Sequence, residues 1–456
     1  MLACLCTVAA AQQDGVRIYE EQLRVKLDEQ VPAAREHGFD AGGWFDFAFF
    51  TYNDTQNRVQ RTLRLYELRG WANYNYEGVH QFYVRGLLHY ADWNTGTNPK
   101  AYEGDDFQES LERAWYQFDL GQMLRNQTGR RPRASFKVKV GREYATIGTA
   151  LTLSTPLDMV QIHANAGDWE LMALLGKTLS GSRNIDDSTD IANHQDRCFW
   201  GLQLRYDGLD MLGHHRPFVY FLENQDHSDP TPNDPTQEFA YDSRYVGLGS
   251  EGTLVLPNLR YQAEIVGEWG KTYSDGATSD RDDIEAMAMD FLLEYLFQTR
   301  MQPKVSFEYL FGSGDSDRRS SATSTVGGNR PGTVDHAFNA FGFRDTGIAF
   351  SPRLANLNIY ILGGSFFPLE SYKLFEKMEL GSKVFFYQKH RSGGPISDTA
   401  AVNDSSWVGW EWDLYCNWRI TSDVTYTIRY GAFQPGEAFD NDTCRQFLYT
   451  GVTFSF

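Results

Sequence analysis

From Phe39 onward, apolar and polar residues alternate with a period of two, in runs of about 9 to 14 residues. Eighteen such runs are legible, near 41–52, 61–74, 79–92, 109–120, 134–142, 157–163, 168–179, 197–206, 216–225, 243–255, 259–271, 284–298, 304–311, 353–366, 372–387, 406–419, 423–433 and 446–456. What lies between them separates soluble from membrane β-structure. One set of connections is tight: Asn75-Tyr76-Glu77-Gly78, Ala164-Asn165-Ala166-Gly167, Leu256-Pro257-Asn258 and Ile420-Thr421-Ser422, with 121–133 the long exception. The other set is long, polar and rich in Gly, Asp and Ser: 93–108, 180–196, 226–242, 272–283, 312–352, 388–405 and 434–445. Short and long connections in strict alternation predict an all-β fold. It is a transmembrane antiparallel up-and-down β-barrel of about 18 strands, with short periplasmic turns and long extracellular loops. A soluble sandwich has no reason to alternate in this way.

The head of the chain reads differently. Residues 1–11 resemble the apolar remnant of a secretory signal, with Ala9-Ala10-Ala11 as a small-residue cleavage site. Residues 12–38, helically spaced and densely charged from Val16 to His37, read as a periplasmic leader, and 39–456 as the outer-membrane barrel. The final run, Phe447 to Phe456, alternates and stops on Phe, an ending of the kind read by the barrel-assembly machinery.

Composition adds to this picture. Phe, Tyr and Trp make up 15% of the 456 residues beside 41 Gly, which fits strands that are apolar on one face only and end in aromatic girdles. No stretch approaches the roughly 18 apolar residues of a spanning helix. Acidic residues outnumber basic ones 60 to 42, for a formal charge of -18, which speaks against nucleic acid as a partner. The expected partners are outer-membrane lipid and lipopolysaccharide, the assembly machinery at Phe456, and a saccharide. The nine segments expected outside (53–60, 93–108, 143–155, 180–196, 226–242, 272–283, 312–345, 391–405 and 435–444) hold 27 acidic and 9 basic residues. That is the whole formal excess, so the barrel itself is balanced. Without the signal, Cys198, Cys416 and Cys444 remain, with no CxxC spacing, so neither a zinc site nor a disulfide framework is expected. No metal and no cofactor is expected.

Alternation assigns faces. An ionised side chain facing lipid at mid-depth costs about 2–4 kcal/mol, so strand charges are expected to point inward. The candidate lumen lining is Arg85, Arg113, Lys137, Lys139, Arg142, Arg205, Arg260, Lys304 and Arg429, with Asp119, Glu264, Glu308, Glu411 and Asp413. Arg142 has the parity of the lipid face and would line the lumen only at a strand end or beyond a bulge. Cations in a lumen attract anions, and carboxylates beside them make the lining patterned and partly self-paired. An enzyme is not expected: His80, His89 and His163 are scattered over strands, no GxSxG occurs, and Gly312 to Asp317 lacks calcium-loop spacing.

Three segments resemble the alginate-export family of outer-membrane porins. They are Leu111 to Gly148, with Arg113-Ala114-Trp115-Tyr116 and Val140-Gly141-Arg142-Glu143; Glu308-Tyr309-Leu310-Phe311 with Ser313-Gly314-Asp315, continued by Pro352 to Phe367; and Trp410 to Gly436. The resemblance implies an eighteen-stranded monomeric barrel through which an anionic polysaccharide leaves past an Arg- and Lys-lined constriction. It carries over Arg113 and Arg142 as lining residues. Diffusion of an anionic or neutral saccharide is therefore the expected function. A general or small-solute uptake porin and a plugged structural or adhesin barrel remain open from the residues alone.

Overall fold

The computed structural model describes residues 37–54, 59–94, 106–130, 132–179, 196–227, 240–274, 281–318, 321–323 and 328–456. The signal-like segment, and the leader except for residues 37–38, lie outside them. Eighteen long strands follow one another: β1 (His37–Asp54), β2 (Val59–Tyr76), β3 (His80–Trp93), β4 (Asp106–Asp119), β5 (Ala134–Ile147), β6 (Leu153–Ala166), β7 (Trp169–Thr178), β8 (Arg197–Tyr206) and β9 (His214–Asp226). Then come β10 (Tyr241–Leu254), β11 (Leu256–Tyr273), β12 (Arg281–Leu296), β13 (Lys304–Gly312), β14 (Leu357–Phe366), β15 (Met378–Lys389), β16 (Trp407–Arg419), β17 (Val424–Pro435) and β18 (Arg445–Ser455). A two-residue strand, Leu209–Asp210, extends the pairing at the start of β9.

Each strand pairs antiparallel with its neighbours in sequence, and β1 pairs with β18 from Trp44 opposite Ser455 to Tyr52 opposite Phe447, so the sheet closes. Closure removes the unpaired edges that lipid cannot satisfy. Phe456 sits at the seam, exchanging backbone hydrogen bonds of 2.9 Å with Gly43 in both directions.

The outward faces carry the apolar belt: Phe82, Val84, Leu175, Leu202, Leu248 and Leu362 stand exposed because lipid is their solvent. The long exception among the tight turns holds the helix α1 (Leu120–Thr128), whose first turn is capped by the Asp119 carboxylate accepting from the Gln122 N–H at 2.9 Å.

Two connections depart from the expected loops. The segment 143–155 is not a loop: β5 runs to Ile147, β6 starts at Leu153, and only 148–152 turns. Residues 335–350 of the segment after β13 do not stand outside the barrel. They enter the lumen, so Asp335, counted above among the extracellular acids, is buried, and Asp345, counted with it, is half-buried. Apolar side chains from these two segments meet the inner wall in two buried clusters. One holds Phe338 and Phe341 with Ile147, Leu151 and Leu222; the other holds Ala349 and Phe350 with Tyr387, Phe433 and Phe447.

Candidate functional site

The lumen is narrowed by residues 335–350 of the segment after β13 and by the β5–β6 tip. The segment leaves β13 at Ser313, whose Oγ accepts the Met287 N–H at 2.9 Å. It bridges to the outer end of β12, with the Glu285 and Asp335 N–H groups donating to the Asp335 and Asp283 carbonyls. Asn339 then passes under β10 and β11: its N–H donates to Glu268 at 3.0 Å and its carbonyl accepts the Tyr245 hydroxyl at 2.5 Å. From Phe341 to Phe343 the segment pairs with the β5–β6 tip through the Ser154, Phe341 and Phe343 N–H groups.

That tip leans across the inner wall. The Gly148 N–H reaches Gln203 at 2.7 Å, and the Thr149 N–H reaches Glu264 at 2.6 Å. Gly148 has φ +60, and a Cβ there would lie 2.7 Å from both Tyr220 and Glu264, so the approach requires glycine.

At mid-depth the segment presents two consecutive opposite charges. Arg344 pairs with Asp290 at 2.7 Å and also donates to the Thr149 hydroxyl. Asp345 pairs with Lys383 at 2.5 Å. Burial opposes the charge on both. Asp290, Glu264 and Glu308 nevertheless hold Arg344 above its ordinary value, and Lys383 holds Asp345 below the usual carboxylate range. Beyond them the Ile348, Ala349 and Phe350 N–H groups all donate to Glu411, at 2.6, 2.7 and 2.8 Å, and Phe350 stacks on Phe433 at 4.2 Å.

The sequence-assigned lining residues fall into four places. Glu264, Glu308, Glu411, Asp413 and Arg429 surround Arg344 and Asp345, and Asp413 lies opposite Lys383 across the β15–β16 pair. Arg85 and Arg113 belong to another network, on β1 to β5. There Arg85 binds Glu112 at 2.8 Å, Arg113 binds Glu143 at 3.2 Å, and Arg69 links Asp46, Glu67 and Glu112.

Lys137, Lys139, Asp119, Arg205, Arg260 and Lys304 lie on the inner face toward the periplasmic end. Lys137 pairs with Asp119, Lys139 with Glu143 and Lys304 with Glu294, each at 3.4 Å, and Arg205 reaches Glu251 at 3.7 Å. Arg142 stands apart. It keeps the outward parity of Val138 and Val140, pairs with Asp158 at 2.9 Å and donates to the Leu111 carbonyl, so it does not line the lumen. The bulge that could have turned an arginine inward lies one strand away. Between Arg85 and Gly86 the β3–β4 register shifts, which brings both Glu112 and Arg113 to the inner face.

Arg344, Asp345, Asp290 and Lys383 were not singled out by the sequence. Asp290 and Lys383 had the signal of a charge within an alternating run. Arg344 and Asp345 had a different one: the apolar density of Phe338, Phe341, Phe343, Ile348 and Phe350 in a stretch expected to face water.

The fold agrees with comparisons to known proteins. The model of the alginate export family matches residues 158–453. No curated protein matches the sequence. Among solved structures, Pseudomonas aeruginosa OccK11 (OpdR) aligns with a TM-score of 0.53 at 12% identity, over 92% of this chain and 98% of that one. OccK5 (OpdH) from the same organism gives 0.53 at 10%, over 91% and 98%. The P. aeruginosa OpdK structure with vanillate gives 0.52 at 9%, over 92% and 100%. At such identities the likeness concerns the fold, an outer-membrane porin barrel. The family match covers well over half of the chain, and the barrel has the eighteen antiparallel strands that the resemblance implied: the chain is an outer-membrane channel protein of the alginate export family.

Proposed function

We propose that this channel passes an anionic or neutral saccharide by diffusion, an alginate-like polysaccharide in the outward direction, across the outer membrane of a Gram-negative-type bacterium. The observation that carries this reading is the placement of cations at the periplasmic entrance. Lys137, Arg205, Arg260 and Lys304 are spread over β5, β8, β11 and β13, around much of the circumference, and Lys137 and Arg260 stay exposed. A polyanion arriving from the periplasm meets these cations on several sides before it reaches the narrowed level; Lys137, Lys304 and Arg205 sit beside Asp119, Glu294 and Glu251, and a passing carboxylate competes for them between low-dielectric walls. In the same reading the protein is a channel and not an enzyme. The apolar belt faces lipid and lipopolysaccharide.

The test is the reversal potential in a KCl gradient across planar bilayers, for the wild type and a Lys137→Ala, Arg260→Ala, Lys304→Ala variant. An anion preference that falls in the variant supports the reading. Cation preference in the wild type, or selectivity unmoved in the variant, overturns it and favours a general small-solute porin. A wild type that carries no current at any voltage points to the plugged structural barrel.

A further inference from the structure

The periplasmic half of the β1–β5 wall carries a feature that ion conduction does not use. Trp71, Tyr83 and Trp115 project from β2, β3 and β4 on the inner face, the face of Arg85, Arg113 and Lys139. Their rings are nearly parallel. Trp71 and Tyr83 lie 6.3 Å apart at 17°, and Tyr83 and Trp115 lie 5.4 Å apart at 19°. Each is half-buried and so keeps part of its surface toward the lumen.

The wall is shaped for them. Gly42 faces Trp71 across the β1–β2 pair, where a Cβ would come within 3.0 Å of the indole, and Gly141 leaves the position opposite Trp115 without a side chain. One level toward the periplasm comes a row of amides, with Gln81 donating to Asn73 at 3.0 Å and Gln117 beside Gln81. Lys139 lies 4.5 Å over the Trp115 ring, and Lys137 is one register step below it.

Aromatic side chains facing water inside a membrane barrel give up the burial that normally justifies them. Nearly parallel rings, a row of amides and a cation at the edge match one chemistry. The C–H faces of a pyranose pack on aromatic planes, its hydroxyls exchange hydrogen bonds with amides, and a uronate carboxylate meets an ammonium group. We infer that the Trp71–Tyr83–Trp115 strip is a binding track for a uronic-acid oligosaccharide just inside the periplasmic entrance. This rests on the saccharide reading above and adds to it a specific wall and a specific set of contacts. The strip holds the sugar rings, while Lys137 selects for the carboxylate.

The experiment uses the full chain in planar bilayers and in detergent. A tetrasaccharide of uronic acids prepared from alginate, and neutral maltotetraose, are titrated by current blockade and by calorimetry. Trp115→Ala and Trp71→Ala should each weaken uronate binding about tenfold, in line with the loss of one stacking contact. Trp115→Phe, which keeps a ring, should restore most of it, and conductance in KCl alone should not fall. Lys137→Ala should weaken the uronate and leave maltotetraose unchanged.

Uronate binding that is absent in the wild type, or equal in wild type and Trp115→Ala, overturns the track while leaving the channel intact. Where Trp115→Ala does not fold, Tyr83→Leu decides, because it removes the central ring with less volume. A wild type that binds the sugar but carries no current would overturn the channel reading and leave the track standing.

Discussion

Two inner walls of the same barrel solve the problem of enclosed charge in opposite ways. On β1 to β5 every cation named has a carboxylate from the strands themselves. Arg85 and Arg113 are directly opposed across β3 and β4, a repulsive arrangement, and the bulge supplies Glu112 beside them. Arg69 sits among three carboxylates within 3.1 Å. On β11 to β17 the strands alone leave a surplus of acid. Glu264 and Asp290 are cross-strand neighbours, and Glu411 and Asp413 share a face two residues apart. What completes this wall comes from the segment after β13: Arg344 for the first pair and three backbone N–H groups for Glu411. One wall is finished by its own sheet, whereas the other is a seat that is complete only when occupied. A segment held in that way has somewhere specific to go, and it narrows the lumen because the seat is inside.

The comparison can be broken most decisively by removing the occupant. Replacing 336–349 with a short Gly-Ser linker should raise single-channel conductance several-fold. Unchanged conductance would mean that the constriction lies elsewhere.

A paired test comes next. Arg69→Met and Arg344→Met each strand buried carboxylates, at about 3–5 kcal/mol. Both should lower the temperature at which the barrel loses its heat-modifiable gel mobility. Only Arg344→Met should add current flicker, and equal flicker in both would erase the distinction between the walls. Glu411→Ala should have a smaller effect of the same kind, because each orphaned N–H group costs about 1–3 kcal/mol but water can reach some of them.

Acid gives a graded version. The Asp345 carboxyl is held below its ordinary value by Lys383, so its contribution to the seat is full above the unfolded value of about 4 and is lost as pH falls through the lowered one. Flicker should rise on acidification below about pH 4, and Asp345→Asn should show it already at pH 7. A variant as quiet as the wild type at neutral pH would remove Asp345 from the latch. The smallest effect is expected from Arg142→Ala: on the outward face, it should leave the reversal potential where it was.

The number, order and facing of the strands were legible because a half-apolar strand between lipid and lumen must alternate, and each violation costs free energy at that residue. Even the runs near 157–163 and 243–255 are strands, longer than expected in the first case because β5 and β6 extend beyond the belt into the lumen. Alternation also gave the inward parity of Arg113, Glu264, Lys304 and Glu411 and the outward parity of Arg142, whereas the lining role carried over to Arg142 by resemblance does not fit its place beside Asp158.

Bulges are harder to read. The two-residue period cannot announce that Glu112 and Arg113 will share a face, since the shift is visible only against the partner strand. Hardest of all is the segment after β13. Its apolar residues have no period, and its charges have no partners nearby in sequence: Arg344 meets Asp290 and Thr149, and Asp345 meets Lys383. The sequence by itself determined a membrane barrel and the side to which most residues turn, because solvent on each face acts on every residue separately. Where the chain re-enters its own lumen was decided only in three dimensions, because it depends on an acidic, aromatic seat that exists once β11 to β17 stand side by side.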